Sequence, residues 1–282
     1  MKIPKRILPL VEEGLIDSVV RQLMSGKEAT VYVVRCGDET RCAKVYKEAS
    51  QRSFRQAASY QEGRKVKNSR QARAMEKGTR YGRKMQEEVW QNAEVDALYR
   101  LAAAGVRVPT PYSCFEGVLL MELISDAEGH AAPRLNDIEL TPERALDYHA
   151  QLLQQVVLML CAGVVHGDLS EYNILVDADG PVIIDLPQAI DAAGNTEAGA
   201  MLERDVANLA TYFSRFVPAL AGTEYGKEIW RLYVAGLLRP DSKLSGQIKL
   251  DTRPADVGAV MREIALAEQE ERERQLRLQQ IG

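Results

Sequence analysis

The chain has 282 residues, 46% of them hydrophobic and 27% charged, with a formal net charge of −4. That composition excludes collagen-like, mucin-like and wholly disordered chains. The length suffices to bury roughly 75% of the surface an unfolded chain exposes, so no disulfide staples are needed. The average conceals a segregation: residues 51–85 hold eleven basic residues against Glu62 and Glu76, a local charge of +9, while the remainder carries −13.

Residues 1–20 read as an N-terminal extension. Their apolar stretch is broken by Pro9 and closed by Glu12 and Glu13, too short for a secretory h-region and without a small-residue cleavage site. The longest apolar runs, such as Val156 to Val165, reach about ten residues, too few to span a bilayer. No membrane attachment is expected, and the expected location is cytoplasmic. Val19 to Met24 predicts a first strand, and Thr30 to Arg35 and Arg41 to Tyr46 predict a hairpin around C-G-D-E-T. The basic segment 51–85 follows as a mobile arm or solvated helix inserted in an N-lobe of residues 21–124. A helix is predicted over Glu87 to Ala104, stopped by Gly105. Prolines in V-P-T-P then impose extended backbone. Tyr112 to Phe115 and Val118 to Ile124 predict a second hairpin around Glu116-Gly117.

The turn-rich S-D-A-E-G-H-A-A-P-R marks the boundary to a C-lobe, residues 125–255. Thr141-Pro142 is a helix start, threonine as cap and proline at the first helical position, and Gly163 is its stop. Asn173 to Val176 and Val182 to Asp185 predict a strand pair around D-A-D-G. Helices follow at about Ala198 to Phe216 and Tyr225 to Leu238, and residues 256–282 read as a charged C-terminal helix. Strands dominate the first half and helices the second, an α+β pattern with an antiparallel-sheet N-lobe and a mainly helical C-lobe. Cys36, Cys42, Cys114 and Cys161 show no C-x-x-C spacing. Their apolar neighbours predict buried free thiols; Cys36 and Cys42 could face each other across the first hairpin, which by itself establishes nothing.

Chemistry concentrates in V-V-H-G-D-L-S-E-Y-N-I-L-V and the V-I-I-D that follows. Asp168, Asn173 and Asp185 surround one tight hairpin, and oxygen ligands from adjacent strand ends suit Mg²⁺. The D-x-x-x-x-N interval matches the catalytic loop of protein kinases, with the later Asp as second metal ligand. Asp177, Asp179 and Asp191 read as turn caps. Lys44, in R-C-A-K-V-Y, is either a charge on an edge strand or a phosphate-neutralising lysine paired with a helix glutamate. Glu94 is the natural partner, with Glu87 and Glu88 as alternatives. S-G-K-E-A-T-V-Y offers one glycine, Gly26, for close backbone approach to phosphates; Ser25 and Lys27 add side-chain donors.

In order, S-G-K-E-A-T-V-Y, A-K-V-Y, W-Q-N-A-E-V-D-A-L, V-P-T-P, L-L-M-E-L-I, A-P-R-L, H-G-D-L-S-E-Y-N-I-L and I-I-D-L-P-Q-A span Ser25 to Ala189. The set resembles the RIO family of atypical serine protein kinases, closest to its type-1 branch. R-D-V-x-N-L at Arg204 to Leu209 adds to the likeness. The resemblance implies a reduced two-lobed protein-kinase-like fold without a regular activation loop. It implies ATP and Mg²⁺, or Mn²⁺, as cofactors. Asp168 would be the catalytic aspartate, and Asn173 and Asp185 would hold the metal. Lys44 and Glu94 would form the ion pair, while Ser25, Lys27 and Glu28 would cover the triphosphate. Met121 would line the adenine pocket and the backbone at Glu122 and Ile124 would bind adenine. It further implies that Asp185 itself accepts phosphate in an ATPase cycle.

The chain departs from the wider kinase pattern at I-I-D-L-P-Q, where Pro187 stiffens what is D-F-G elsewhere. Too few residues precede position 20 for a winged-helix domain, which points away from the type-2 branch. A small-molecule phosphotransferase of the aminoglycoside or choline type shares H-G-D-x-x-x-x-N, but only about 95 residues follow Asp185 to build an acceptor lobe. An ATP-switched, non-enzymatic assembly factor is the third reading. The protein acceptor stays unnamed. The +9 segment is either a solvated loop or a patch facing RNA or a ribosomal subunit, as the family's link to ribosome maturation implies.

Overall fold

A computed structural model of the chain describes residues 3–26, 28–47 and 93–247. The basic segment 51–85, Lys27 and the predicted C-terminal helix 256–282 lie outside the described residues.

Five antiparallel strands form the first layer: β1 (Ser18–Ser25), β2 (Ala29–Cys36), β3 (Glu39–Tyr46), β4 (Pro111–Phe115) and β5 (Val118–Glu122). Their spatial order is β1-β2-β3-β5-β4, which puts β3 in the middle. Because side chains alternate across a strand, β3 serves two cores. Ala43 and Val45 pack with Ile7, Leu10, Ile16 and Val19, while Tyr46 joins the larger core that includes Leu98, Leu101 and Leu119. Ile7, Leu10 and Ile16 are almost wholly buried. The segment before residue 21 thus belongs to the sheet's core, through the short helix Leu8–Glu12, instead of standing outside as an extension.

Residues 93–103 are helical, and Gly105 (φ 77°) ends that helix as expected, with Gly105 N–H donating to Ala102 and Val106 N–H to Leu101. The first six residues of the predicted helix, 87–92, lie outside or at the edge of the described residues. Glu116 (φ 47°) and Gly117 (φ 76°) turn the β4–β5 hairpin. The inter-lobe segment is ordered by Asp126, whose Oδ1 accepts from the N–H of Glu128 and His130.

Beyond it, the helix Pro142–Cys161 starts where Thr141 Oγ1 accepts the Arg144 N–H at 3.3 Å. It buries Ala145, Leu152, Leu153, Val156, Val157 and Leu160 against the helix Ala198–Phe213 and its neighbours. Two small ladders lie on this lobe: β7 (Ile174–Asp177) with β8 (Gly180–Ile183), and β6 (Val164–Val165) with β9 (Ile190–Asp191). The second ladder has two residues per strand, below what periodicity registers.

Several sequence expectations shift. β8 ends at Ile183, so Asp185 stands two residues past the strand. The last helix among the described residues is Tyr225–Val234, which stops four residues short of Leu238. Gly236 (φ 68°) closes it, its N–H donating to Tyr233 and that of Leu237 to Leu232, a paired closure that a left-handed residue permits. The preceding helix stops at Phe213 instead of Phe216, three residues earlier. All four cysteines are free, but only Cys42 is buried: Cys114 sits on edge strand β4 and Cys161 at a helix end, both exposed. Cys36 and Cys42 do not face each other, because the register pairs Cys36 with Glu39 and Cys42 with Val33.

Candidate active site

Lys44 lies on the central strand, which excludes the edge-charge reading. Its residue is 8% exposed, and its Nζ donates to Glu94 Oε1 at 2.5 Å and to Asp185 Oδ1 at 2.9 Å. Burial alone would lower the ammonium's pKa, but Glu94 and Asp185 overcome it and raise it, so the charge is fixed. A lysine from the sheet, a glutamate from the 93–103 helix and an aspartate from the second lobe thus meet. Glu94 is the partner among the described residues; Glu87 and Glu88 lie outside them.

Asp185 adopts φ +67°, a left-handed conformation costly for a non-glycine residue. The conformation turns its carboxylate out of the strand line toward Lys44. Burial opposes ionisation there, yet the Lys44 charge and its hydrogen bond hold the carboxyl below its ordinary value. The next residues form a tight turn closed by the Ala189 N–H on Leu186 O, with Pro187 at its first corner.

Asp168 is exposed between buried Gly167 and Leu169, so the loop presents its carboxylate outward. Gln188 Nε2 donates to its Oδ2 at 3.2 Å, and Asn173 Nδ2 donates to its backbone carbonyl at 2.9 Å. Asn173 ends a single 3₁₀ turn, Glu171–Asn173, and its carbonyl accepts the Ile184 N–H, which brings it beside Asp185. Desolvation raises the Asp168 pKa; Arg204 opposes that and the Asp185 charge adds to it.

His166 joins the two acidic segments. It is 2% exposed, its Nε2 is 3.1 Å from Ile184 O, and its Nδ1 lies 3.3 Å from the Asp168 N–H. The network assigns a neutral ring with the proton on Nε2, in keeping with the lowering of its pKa by burial.

Asp205 was not among the residues singled out from the sequence. It is 1% exposed and receives the N–H of Gly167 at 2.8 Å and of Leu169 at 3.0 Å. Arg204 Nη2 donates to Gly167 O and Asn208 Nδ2 to Leu169 O, so R-D-V-x-N grips the loop on both sides of Asp168. Its signal was the R-D-V-x-N-L string itself, whose spacing is helical while its targets lie 36 to 39 residues away.

The remaining predicted residues take these places. Ser25 Oγ lies 3.3 Å from Thr30 Oγ1, and Lys47 Nζ donates to Ser25 Oγ and to Gly26 O, tying the first loop to β3. Lys47 too went unnoticed in the sequence. Glu28 accepts the Lys47 N–H on its carbonyl, and Lys27 lies outside the described residues. Met121 on β5 pairs with Cys42 and packs against the main core. Glu122 N–H donates to Thr110 O, and Ile124 O accepts from Ala132. The Ile124 N–H has no acceptor among the described residues. Asp177 and Asp191 cap turns as expected, each through Oδ1, and Asp177 also pairs with Arg107 at 2.6 Å.

Sheet, helix and catalytic-type loop define a reduced two-lobed protein-kinase-like fold. Two solved structures of Rio2 kinase from Chaetomium thermophilum share it. One, a complex with ADP, Mg²⁺ and phosphoaspartate, matches at TM-score 0.55 and 20% identity over 79% of this chain and 65% of that one. The other matches at TM-score 0.54 and 18% identity over 85% and 81%. A profile described as the RIO domain matches residues 30–225. The chain belongs to the RIO kinase family, on its type-1 branch. It is 31% identical over 215 residues to the serine/threonine-protein kinase rio1 of Schizosaccharomyces pombe, which covers 74% of this chain and 41% of that protein. It is 33% identical over 211 residues to the RIO-type serine/threonine-protein kinase Rio1 of Haloferax volcanii, 74% and 68%.

Proposed function

We propose that the chain is an ATP- and Mg²⁺-dependent serine/threonine protein kinase with ATPase activity. The observation that carries this reading is Lys44 bonded at once to Glu94 and to Asp185, with Asp168 and Asn173 at the same mouth. Two carboxylates and an amide oxygen are hard donors, and a half-exposed Asp185 (45%) can share a cation with phosphate and water. The donor set fits Mg²⁺, held by Asp185 and Asn173, where it would neutralise charge on the transferring phosphoryl group. Lys44 neutralises the inner phosphates, and the Ile124 N–H meets the adenine edge. Asp168 accepts the proton of an incoming serine hydroxyl while that oxygen bonds to the γ-phosphorus and ADP leaves.

The Chaetomium Rio2 kinase was solved with a phosphoaspartate. By that likeness Asp185, kept ionised by Lys44, is a second acceptor: its carboxylate oxygen forms the new P–O bond, the β–γ bridge breaks, and ADP departs with the bridging oxygen. The relatives are serine/threonine-protein kinases, which favours a protein acceptor over an aminoglycoside or choline. Four free cysteines suit a reducing cytoplasm, and no helix among the described residues is long and apolar enough to cross a membrane.

The test is incubation with γ-labelled ATP and Mg²⁺. Hydroxylamine-released label lost in Asp185→Asn supports the aspartyl route, and phosphoserine supports protein transfer. Label found only on a small-molecule acceptor, or no ADP formation, overturns the proposal. For the basic segment we propose contact with RNA or a ribosomal subunit, on the strength of its +9 charge. Binding that falls steeply with salt and on neutralising Arg80, Arg83 and Lys84 supports it; a flat response rejects it.

A further inference from the structure

The A-P-R-L segment sets its arginine between the second lobe and β1. The backbone of Arg134 is extended (φ −74°, ψ 154°), just before the 3₁₀ turn Leu135–Asp137. It is bridged to Leu175 on β7, the strand that opens directly after Asn173. On either side Pro133 O accepts the Val176 N–H and the fully buried Leu135 gives its carbonyl to Tyr212 Oη. The backbone is therefore fixed to the second lobe.

The side chain leaves that lobe. Arg134 Nη2 lies 3.0 Å from Met24 Sδ on β1, next to Ser25 and Gly26 of the first loop. The guanidinium thus reaches from the second lobe to β1, beside Ser25 and Gly26 of the first loop.

Its bonding there is poor. A guanidinium presents five N–H donors in a planar fork suited to phosphate or carboxylate oxygens, whereas a thioether sulfur is a weak acceptor. Among the described residues Met24 Sδ is the one hydrogen-bond acceptor Arg134 has. Lys44, on the buried sheet, is bonded to two carboxylates, Glu94 and Asp185. Among the described residues, Arg134 has most of its guanidinium donors uncommitted.

We propose that Arg134 is a phosphate-binding residue of the nucleotide site, exchanging the Met24 thioether for oxygens of the phosphate chain when a nucleotide enters. The inference rests on the reading of the cleft as an ATP site. Arg134 then ties the first loop, the phosphates and the second lobe together. Its contribution belongs to the phosphates and not to the adenosine.

The experiment is equilibrium binding of ATP, ADP and adenosine, with Mg²⁺, to the full chain and to Arg134→Gln and Arg134→Lys, with thermal unfolding of each variant alongside. Arg134→Gln is expected to weaken ATP and ADP by about ten-fold, the scale of a lost charge-assisted bond, and to leave adenosine within about two-fold. Arg134→Lys, which keeps the charge without the fork, should fall between. Equal weakening of all three ligands, or unchanged ATP affinity in Arg134→Gln, overturns the role. A parent chain that binds no ATP overturns the underlying reading of the cleft, and the inference with it; a parent that binds ATP beside an unaltered variant overturns the inference alone.

Discussion

Asp205 carries the catalytic-type loop on two hydrogen bonds, to the N–H of Gly167 and of Leu169, from a side chain 1% exposed. Asp205→Ala leaves both donors buried without an acceptor. Each such orphan costs about 1–3 kcal/mol, so the variant should lose about 2–6 kcal/mol, a large part of a typical domain stability. The pH dependence has a definite sign. Burial outweighs the two backbone bonds and raises the Asp205 carboxyl to about 7, well above its ordinary value. A raised folded pKa means that the native state holds a proton the unfolded chain has released, so the contribution is full below about pH 4 and declines to about pH 7. The span, about three units, bounds the change at about 4 kcal/mol. Asp205→Asn keeps an acceptor and cannot titrate. Urea unfolding of the parent, Asn and Ala chains at about two pH units below and about one above the Asp205 pKa of about 7 reads both effects. A deficit below about 0.5 kcal/mol in the Ala variant would refute the clamp. A parent-minus-Asn difference that rises with pH would refute the electrostatics.

Other substitutions test separate parts. Lys44→Met strands Glu94, 4% exposed, as an unpaired buried charge; thermal or urea unfolding should show a loss of about 3–5 kcal/mol, largely recovered when Glu94→Leu is added. A single-variant loss under about 1 kcal/mol would contradict that pairing. Gln188→Ala frees Asp168 Oδ2 and should lower kcat by about ten-fold with KM for ATP unchanged, because the amide positions the base and not the nucleotide; a change confined to KM would count against it. Thr141→Ala removes the acceptor for the Arg144 N–H and should cost about 1 kcal/mol in chemical unfolding, whereas no cost would show the cap to be idle.

What could be read from the chain alone follows from how local each cause is. Lys44, Asp168 and Asn173 stand in short strings whose spacing reflects local strand and loop geometry, so the strings and the three-dimensional neighbourhood coincide. The antiparallel sheet was legible for the same reason, since alternation and turn residues act over a few positions. Asp205, Gln188 and Lys47 were not legible as site residues, because each acts on backbone or side chains from a distant segment. Nothing local in I-I-D-L-P-Q predicts the left-handed turn at Asp185: that conformation is imposed by Lys44 on one side and the proline turn on the other. Solvent exposure of Cys114 and Cys161 was misread because apolar neighbours in sequence say little about an edge strand or a helix end. Charge segregation was plain in the sequence, though its +9 segment lies outside the described residues.

The central claim is that Asp168 moves the proton while Lys44, Asn173 and Asp185 hold Mg-ATP. It is tested most directly by single-turnover phosphoryl transfer from Mg-ATP in the parent chain and in Asp168→Asn, with ATP affinity measured on the same samples. Loss of a positioned general base should slow transfer by about 10²–10⁴-fold and leave ATP affinity within about three-fold. Transfer by Asp168→Asn at the parent's rate, with ATP bound equally well, would contradict the assignment.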